Sequence, residues 1–180
     1  MLPLPYNAQV SFIIRDFRRD DFETLWRIDQ QCFAPGISYS RPELAAYTNT
    51  SGSFTLVAEA SSDPDHPVNS VDTSPRANPI VGFVVANMNR WAHGHIITID
   101  VLPDARRRGL GSQLLDTAEE RLRAAGCRTI RLETAVDNTS ALAFYKRHNY
   151  QLARTIPRYY PGGLDAFVLR KELLSRPLER

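Results

Sequence analysis

The chain has 180 residues, 43% hydrophobic and 23% charged, the size and balance of one ordinary globular domain. No window approaches the roughly 18 uninterrupted apolar residues of a bilayer span, which excludes membrane insertion. The 22 basic residues barely exceed the 20 acidic ones, which argues against the broad basic field of a protein devoted to nucleic acid.

The N-terminal MLPLPYNAQVSF lacks a basic segment followed by an apolar one, so no secretory signal is expected, and residues 1–11 read as a proline-stiffened tail. FIIRDF at 12–17 reads as a strand. Asp20 and Glu23 have capping-box spacing for a helix that turns Phe22, Leu25, Ile28 and Cys32 inward. Ser40 and Glu43, around Pro42, repeat the box for a short helix to about Tyr47. FTLVAEA (54–60) and IVGFVVANM (80–88) are apolar strands, and the polar stretch 61–79 between them is a long loop. HIITIDV (95–101) is a further strand.

Leu110, Leu114, Leu115, Ala118 and Leu122 then draw one apolar stripe along a helix closed by Gly126. TIRLETAV (129–136) is a strand. Asn138 caps a helix that carries Ala141, Leu142, Phe144 and Tyr145 and ends near Asn149. QLARTIP and LDAFVLRKEL form a hairpin around PGG, and 174–180 is a second tail. The order β-α-α-β-β-β-α-β-α-β-β combines one parallel crossover with antiparallel hairpins. The expected fold class is therefore α/β (α+β), a single domain over 12–173 with a mixed, mostly antiparallel seven-stranded sheet flanked by helices. Cys32 and Cys127 read as small buried hydrophobes, and these two cysteines with the His93–His95 pair supply no metal site.

The positive charge has an unusual makeup. All basic residues but Lys146 and Lys171 are arginines, and Arg106, Arg107 and Arg108 are consecutive in IITIDVLPDARRRGLGS. There an apolar strand enters a loop with Gly109 and Gly111, and a helix starts inside that loop. Unpaired N–H groups of a first helical turn, at the positive end of the helix dipole, make such a place an anion site. The competing reading is a solvated basic turn closed by permissive glycines. A Walker Lys-Ser/Thr ending and a G-x-G-x-x-G fingerprint are both missing from this loop.

Arg106-x-x-Gly109-x-Gly111 resembles the R/Q-x-x-G-x-G/A motif with which the GNAT superfamily of acetyl-CoA-dependent N-acetyltransferases binds pyrophosphate. Glu133-x(4)-Asn138-x(6)-Tyr145 is similar to that superfamily's next strand and helix, and RYYPGGLDAFVLRKEL resembles the C-terminal hairpin of its protein N-terminal and ribosomal-protein-alanine branch. The resemblance implies acetyl-CoA as co-substrate and no metal. It places the pantetheine arm beside Ile99, Asp100 and Val101, the pyrophosphate at Arg106, Arg107, Arg108, Gly109, Leu110, Gly111 and Ser112, and Asn138 and Tyr145 against the cofactor.

By the same resemblance Tyr145 protonates the leaving thiolate, where core packing is the plain alternative. Glu133 is the first candidate for activating the amine through water, against a surface ion pair with Arg131. His95 is the second, against a simple hairpin turn at His93-Gly94-His95. Phe33, Pro35 and Tyr39, with Tyr159 and Tyr160, are expected to form the acceptor slot. An α-amine, with a pKa about 2.5 units below that of lysine, is easier to present neutral by about 3 kcal/mol. The expected acceptor is thus a peptide or protein N-terminus. A small-molecule amine is the alternative within the enzyme class; a non-catalytic CoA-binding module and a small nucleic-acid-binding domain are the alternatives outside it. A cytoplasmic monomer or homodimer is expected, with no nucleic-acid or membrane partner.

Overall fold

The structure is a computed structural model that describes residues 11–61 and 79–173. The readings of 1–11 and 174–180 as tails and of 61–79 as a long loop fall essentially outside the described residues. Strands β1 (Phe12–Asp16), β2 (Ser53–Ala60), β3 (Ile80–Met88), β4 (His93–Val101), β5 (Thr129–Ala135), β6 (Gln151–Tyr160) and β7 (Leu164–Glu172) form one sheet in the order β1-β2-β3-β4-β5-β7-β6. Only β4 and β5 pair in parallel. Helices α1 (Phe22–Cys32) and α2 (Arg41–Asn49) lie between β1 and β2, α3 (Leu110–Ala124) between β4 and β5, and α4 (Thr139–Arg147) between β5 and β6. The expected mixed seven-stranded α/β sheet is what forms.

Both faces of the central strands are covered, so β3 is buried without interruption from Gly82 to Ala86, as an apolar run permits. Val84 and Ala86 pack with the α3 stripe of Leu110, Leu114, Leu115, Ala118 and Leu122. Phe83 and Val85 pack with Leu25, Ile28 and Leu44 of α1 and α2. Burying each such leucine contributes about 1.5–3 kcal/mol. Among the described residues no helix is long and apolar enough to cross a membrane.

Several local expectations change. The box expected from Asp20 and Glu23 does not form; Asp21 accepts the Arg18 N–H at 2.7 Å, and a 3-10 turn over Arg19–Asp21 precedes α1. The cause lies across the sheet edge, where Arg15 binds Asp21 at 2.7 Å and Glu59 at 2.6 Å. The Ser40–Glu43 box does form, with Ser40 N–H donating to Glu43 at 2.8 Å, and α2 runs on to Asn49. His93, Gly94 and His95 are strand, because the turn closes earlier: Asn89 Oδ1 accepts from the N–H groups of Trp91 and His93. Cys32 is half-buried, and its thiol donates to the Val101 carbonyl at 3.3 Å.

An irregularity in β4 decides what the strand presents. Val85 pairs with Thr98 but Ala86 pairs with Ile96, so Ile97 is an extra residue. Strict alternation would put His95 and Asp100, five positions apart, on opposite faces. The bulge puts them on the same one, opposite Asn87 and Phe83.

Candidate active site

Two strands part at the centre of the sheet. β4 and β5 pair only over His93–His95 and Thr129–Arg131, and from there the β5-facing edge of β4, carrying Ile99, Asp100 and Val101, has no strand beside it. The chain then turns through Pro103–Ala105 into the arginine loop, with Arg107 at φ 61° and Gly109 at φ 81°. At Gly109 an added Cβ would meet nothing within 4 Å, so glycine is required there by the backbone angle and the space above it is open. Helix α3 starts on Gly109 with no side chain capping it, which leaves its first N–H groups available to an anion.

The loop residues divide their work. Leu110 is buried in the core and offers only its N–H. Gly111 faces Phe144 of α4, which a Cβ would touch at 3.5 Å. Arg106 folds back so that its Nε donates to the Val101 carbonyl at 2.8 Å, while Arg107 and Arg108 are exposed. Asn138 accepts the Ala141 N–H at 3.1 Å as the cap of α4, so its carbonyl oxygen is engaged locally.

On the other face of β4, His95 Nε2 lies 2.5 Å from Glu133 Oε2, and Arg131 donates to the second oxygen, Oε1, at 2.7 Å. The two base candidates and the plain ion-pair partner thus form one chain of contacts. Burial would push the Glu133 carboxyl up; the His95 hydrogen bond and the charges of His95, Arg131 and Arg154 outweigh it and hold the group below its usual range. Glu133 is therefore an acceptor for an imidazole N–H, and the His95 Nδ1 is the nitrogen left for a water or an amine.

Tyr145 is buried. Burial first, then the charges of Asp100 and Tyr160, push its hydroxyl far above neutrality, so it keeps the proton that a donor needs. Its ring also packs edge-on against Tyr150 at 5.5 Å, so the residue is packed into the core while its hydroxyl stays protonated. The segment holding Phe33, Pro35 and Tyr39 meets the β6–β7 turn, where a Cβ added at Gly36 would touch Pro161 at 3.5 Å. Tyr39 donates its hydroxyl to the Ile97 carbonyl at 3.3 Å, at the bulge. Tyr159 and Tyr160 stack edge to face at 4.9 Å, and burial, with Tyr159 and Glu133 nearby, pushes the Tyr160 hydroxyl up to about 12.

Sequence reasoning missed a buried acid beside this site. Asp29 of α1 is 0% exposed and Asp100 is 1% exposed, and each leaves one carboxyl oxygen without a partner. Burial raises Asp29 to about 6; burial and the charge of Asp29 raise Asp100 well above the carboxylate range. Asp29 Oδ2 accepts the Tyr39 N–H at 2.9 Å, and Thr98 donates to Asp100 at 2.9 Å. The available signal was position: Asp29 follows Leu25 by one helical turn and so sits in the apolar stripe of α1. Among the described residues no group of three or more His, Cys, Asp or Glu side chains is placed to hold a metal ion.

Comparison with known proteins bears on the family and the fold. The family model described as Acetyltransferase (GNAT) family matches residues 22–150. An uncharacterized N-acetyltransferase of Methanocaldococcus jannaschii is 37% identical over 94 residues, 52% of this chain and 60% of that protein. An N-alpha-acetyltransferase of Caenorhabditis elegans is 33% identical over 107 residues, 56% of this chain and 59% of that protein. The chain thus spans under two thirds of the length of these relatives. Among solved structures, Ard1 from Thermoplasma volcanium superposes with a TM-score of 0.76 at 24% identity, covering 92% of this chain and 99% of that one. The ribosomal-protein-S18-alanine N-acetyltransferase of Escherichia coli gives 0.74 at 20% identity, over 94% and 99%. At these identities the structures speak for the fold.

Proposed function

The chain belongs to the acetyltransferase (GNAT) family, and from that premise we propose that it moves an acetyl group from acetyl-CoA to the α-amine of a peptide or protein N-terminus, by direct attack in a ternary complex. The observation that carries the reading is the His95–Glu133 contact at 2.5 Å, set where β4 and β5 separate. The cofactor supplies an electrophilic thioester carbonyl. The uncapped first turn of α3 and the open space at Gly109 fit its phosphates, and the free edge of β4 fits an amide-bearing arm.

An α-ammonium must lose a proton before it attacks. His95 takes that proton at Nδ1, directly or through water, while the Glu133 carboxylate accepts from Nε2–H and stabilises the imidazolium that forms. Arg131 holds the other Glu133 oxygen and so keeps the carboxylate aimed. Tyr145 gives its proton to the departing thiolate. The aromatic slot of Tyr39, Tyr159 and Tyr160 suits an extended N-terminal backbone, and the names of the N-alpha-acetyltransferase relatives support that class of acceptor.

The test is acetyl transfer from acetyl-CoA to Ala- and Ser-starting peptides beside spermidine and free lysine. Peptide acetylation at the α-amine is the expected result. Transfer only to the small amines would replace the acceptor class, and CoA binding with no thiol release on any amine would remove the enzymatic reading.

A further inference from the structure

A second histidine contact joins the phosphate loop to α4. The Ser112 hydroxyl, in the first turn of α3, lies 2.9 Å from Nε2 of His148, the C-cap residue of α4. The other ring nitrogen, Nδ1, is 3.5 Å from Asp116 one turn further along α3. The Phe144 ring, which also faces Gly111, lies against the imidazole at 4.7 Å. The His148 side chain is 15% exposed, whereas that of Asp116 is 65% exposed. Asp116 is the charged group that α3 turns toward the ring; the neighbouring Lys146 and Arg147 of α4 are exposed.

A serine hydroxyl has one hydrogen to give and two lone pairs. With a proton on Nδ1 facing Asp116, a neutral imidazole takes the Ser112 hydrogen at Nε2 and turns the hydroxyl's lone pairs outward, unfavourably for an arriving phosphate. With a second proton, on Nε2, the ring donates to Ser112 Oγ. The hydroxyl hydrogen is then free for a phosphate oxygen, with a positive charge behind it.

We propose that His148 is a positioning residue for the CoA pyrophosphate: phosphate docking draws a proton from solvent onto His148, and Ser112 turns its hydroxyl hydrogen to the phosphate. This rests on the assignment of residues 106–112 to the cofactor's phosphates. Binding that takes up a proton weakens as the solution becomes more alkaline, so CoA affinity falls with rising pH.

Titration calorimetry of the full chain with CoA, in buffers of different ionisation enthalpy, measures the proton directly. The wild type is expected to take up protons on binding and to lose affinity by on the order of 3- to 10-fold between about pH 6 and pH 8. His148→Gln keeps an N–H that can reach Ser112 but cannot titrate, and is expected to bind CoA without proton uptake and with pH-independent affinity. Ser112→Ala is expected to abolish the uptake as well, and decides the matter if the histidine variant does not fold. Uptake unchanged in these variants overturns the proposal. Gly109→Val separates the two levels: if it leaves CoA binding intact, the loop assignment and this proposal fall together. If it weakens binding while His148→Gln and Ser112→Ala behave as wild type, this proposal alone fails.

Discussion

The arginine loop and the His95–Glu133 site lie against the same strand, β4, and are built on opposite principles. The loop is local and made of backbone: a left-handed glycine, an uncapped helix start and N–H groups within seven consecutive residues, 106–112. The candidate site is assembled from side chains on α1, β4, β5, α4 and the β6–β7 hairpin, with His95 and Glu133 separated by 38 positions. A backbone site depends on backbone angles, and most of its side chains are exchangeable. A side-chain site depends on particular functional groups.

Substitutions that strike one region and spare the other sharpen this contrast. The largest effect is expected from the His95–Glu133 site. Glu133→Gln and His95→Phe should each lower peptide acetylation by about 10²- to 10⁴-fold, the range for a lost general base, while calorimetry shows the CoA dissociation constant within about twofold. A parallel loss of CoA affinity would mean that the two regions are not separable. Tyr145→Phe should reduce turnover by about 10²-fold with CoA affinity again nearly unchanged; unaltered turnover in steady-state kinetics would remove the proton-donor role.

A buried acid beside that site can be tested through stability. The folded-state pKa of Asp29, about 6, lies above its ordinary value, so ionisation is penalised in the native state and its burden grows as pH rises through that value. Asp29→Asn keeps an acceptor for the Tyr39 N–H. It should be more stable than the wild type by about 1–3 kcal/mol at pH 8, with the difference fading toward pH 4, as read by urea unfolding across that range. A constant difference at all pH values would show that Asp29 is satisfied as an anion. The smallest effect belongs to the loop. Gly109→Ala forces a side chain into a left-handed conformation at about 1–2 kcal/mol, which should weaken CoA binding by about tenfold and leave the peptide KM unchanged.

The same contrast explains what could be read in advance. The α3 stripe, the Gly126 end of α3 at φ 90° and the Asn149 end of α4 at φ 65° follow from local rules, as does the Asn138 cap. So does the placement of Gly109 before a helix. The N-terminal box was misread because Arg15 on β1 recruits Asp21, a contact between elements that no i, i+3 pattern contains. Asp29 was passed over because one acid in an apolar stripe has no meaning until Asp100 is found across from it.

The sequence by itself determined the order of elements, the two apolar faces that sandwich the sheet, and the glycine-bearing loop that starts α3, since each depends on periodicity or on the φ preferences of a few adjacent residues. Only the tertiary structure decided which groups meet. The extra residue at Ile97 turns His95 to the face shared with Asp100, the β4–β5 pairing brings it to Glu133, and α4 carries His148 to Ser112. Each of these contacts joins side chains whose encounter depends on strand register and helix docking, and the energy that sets both is spread over the whole core.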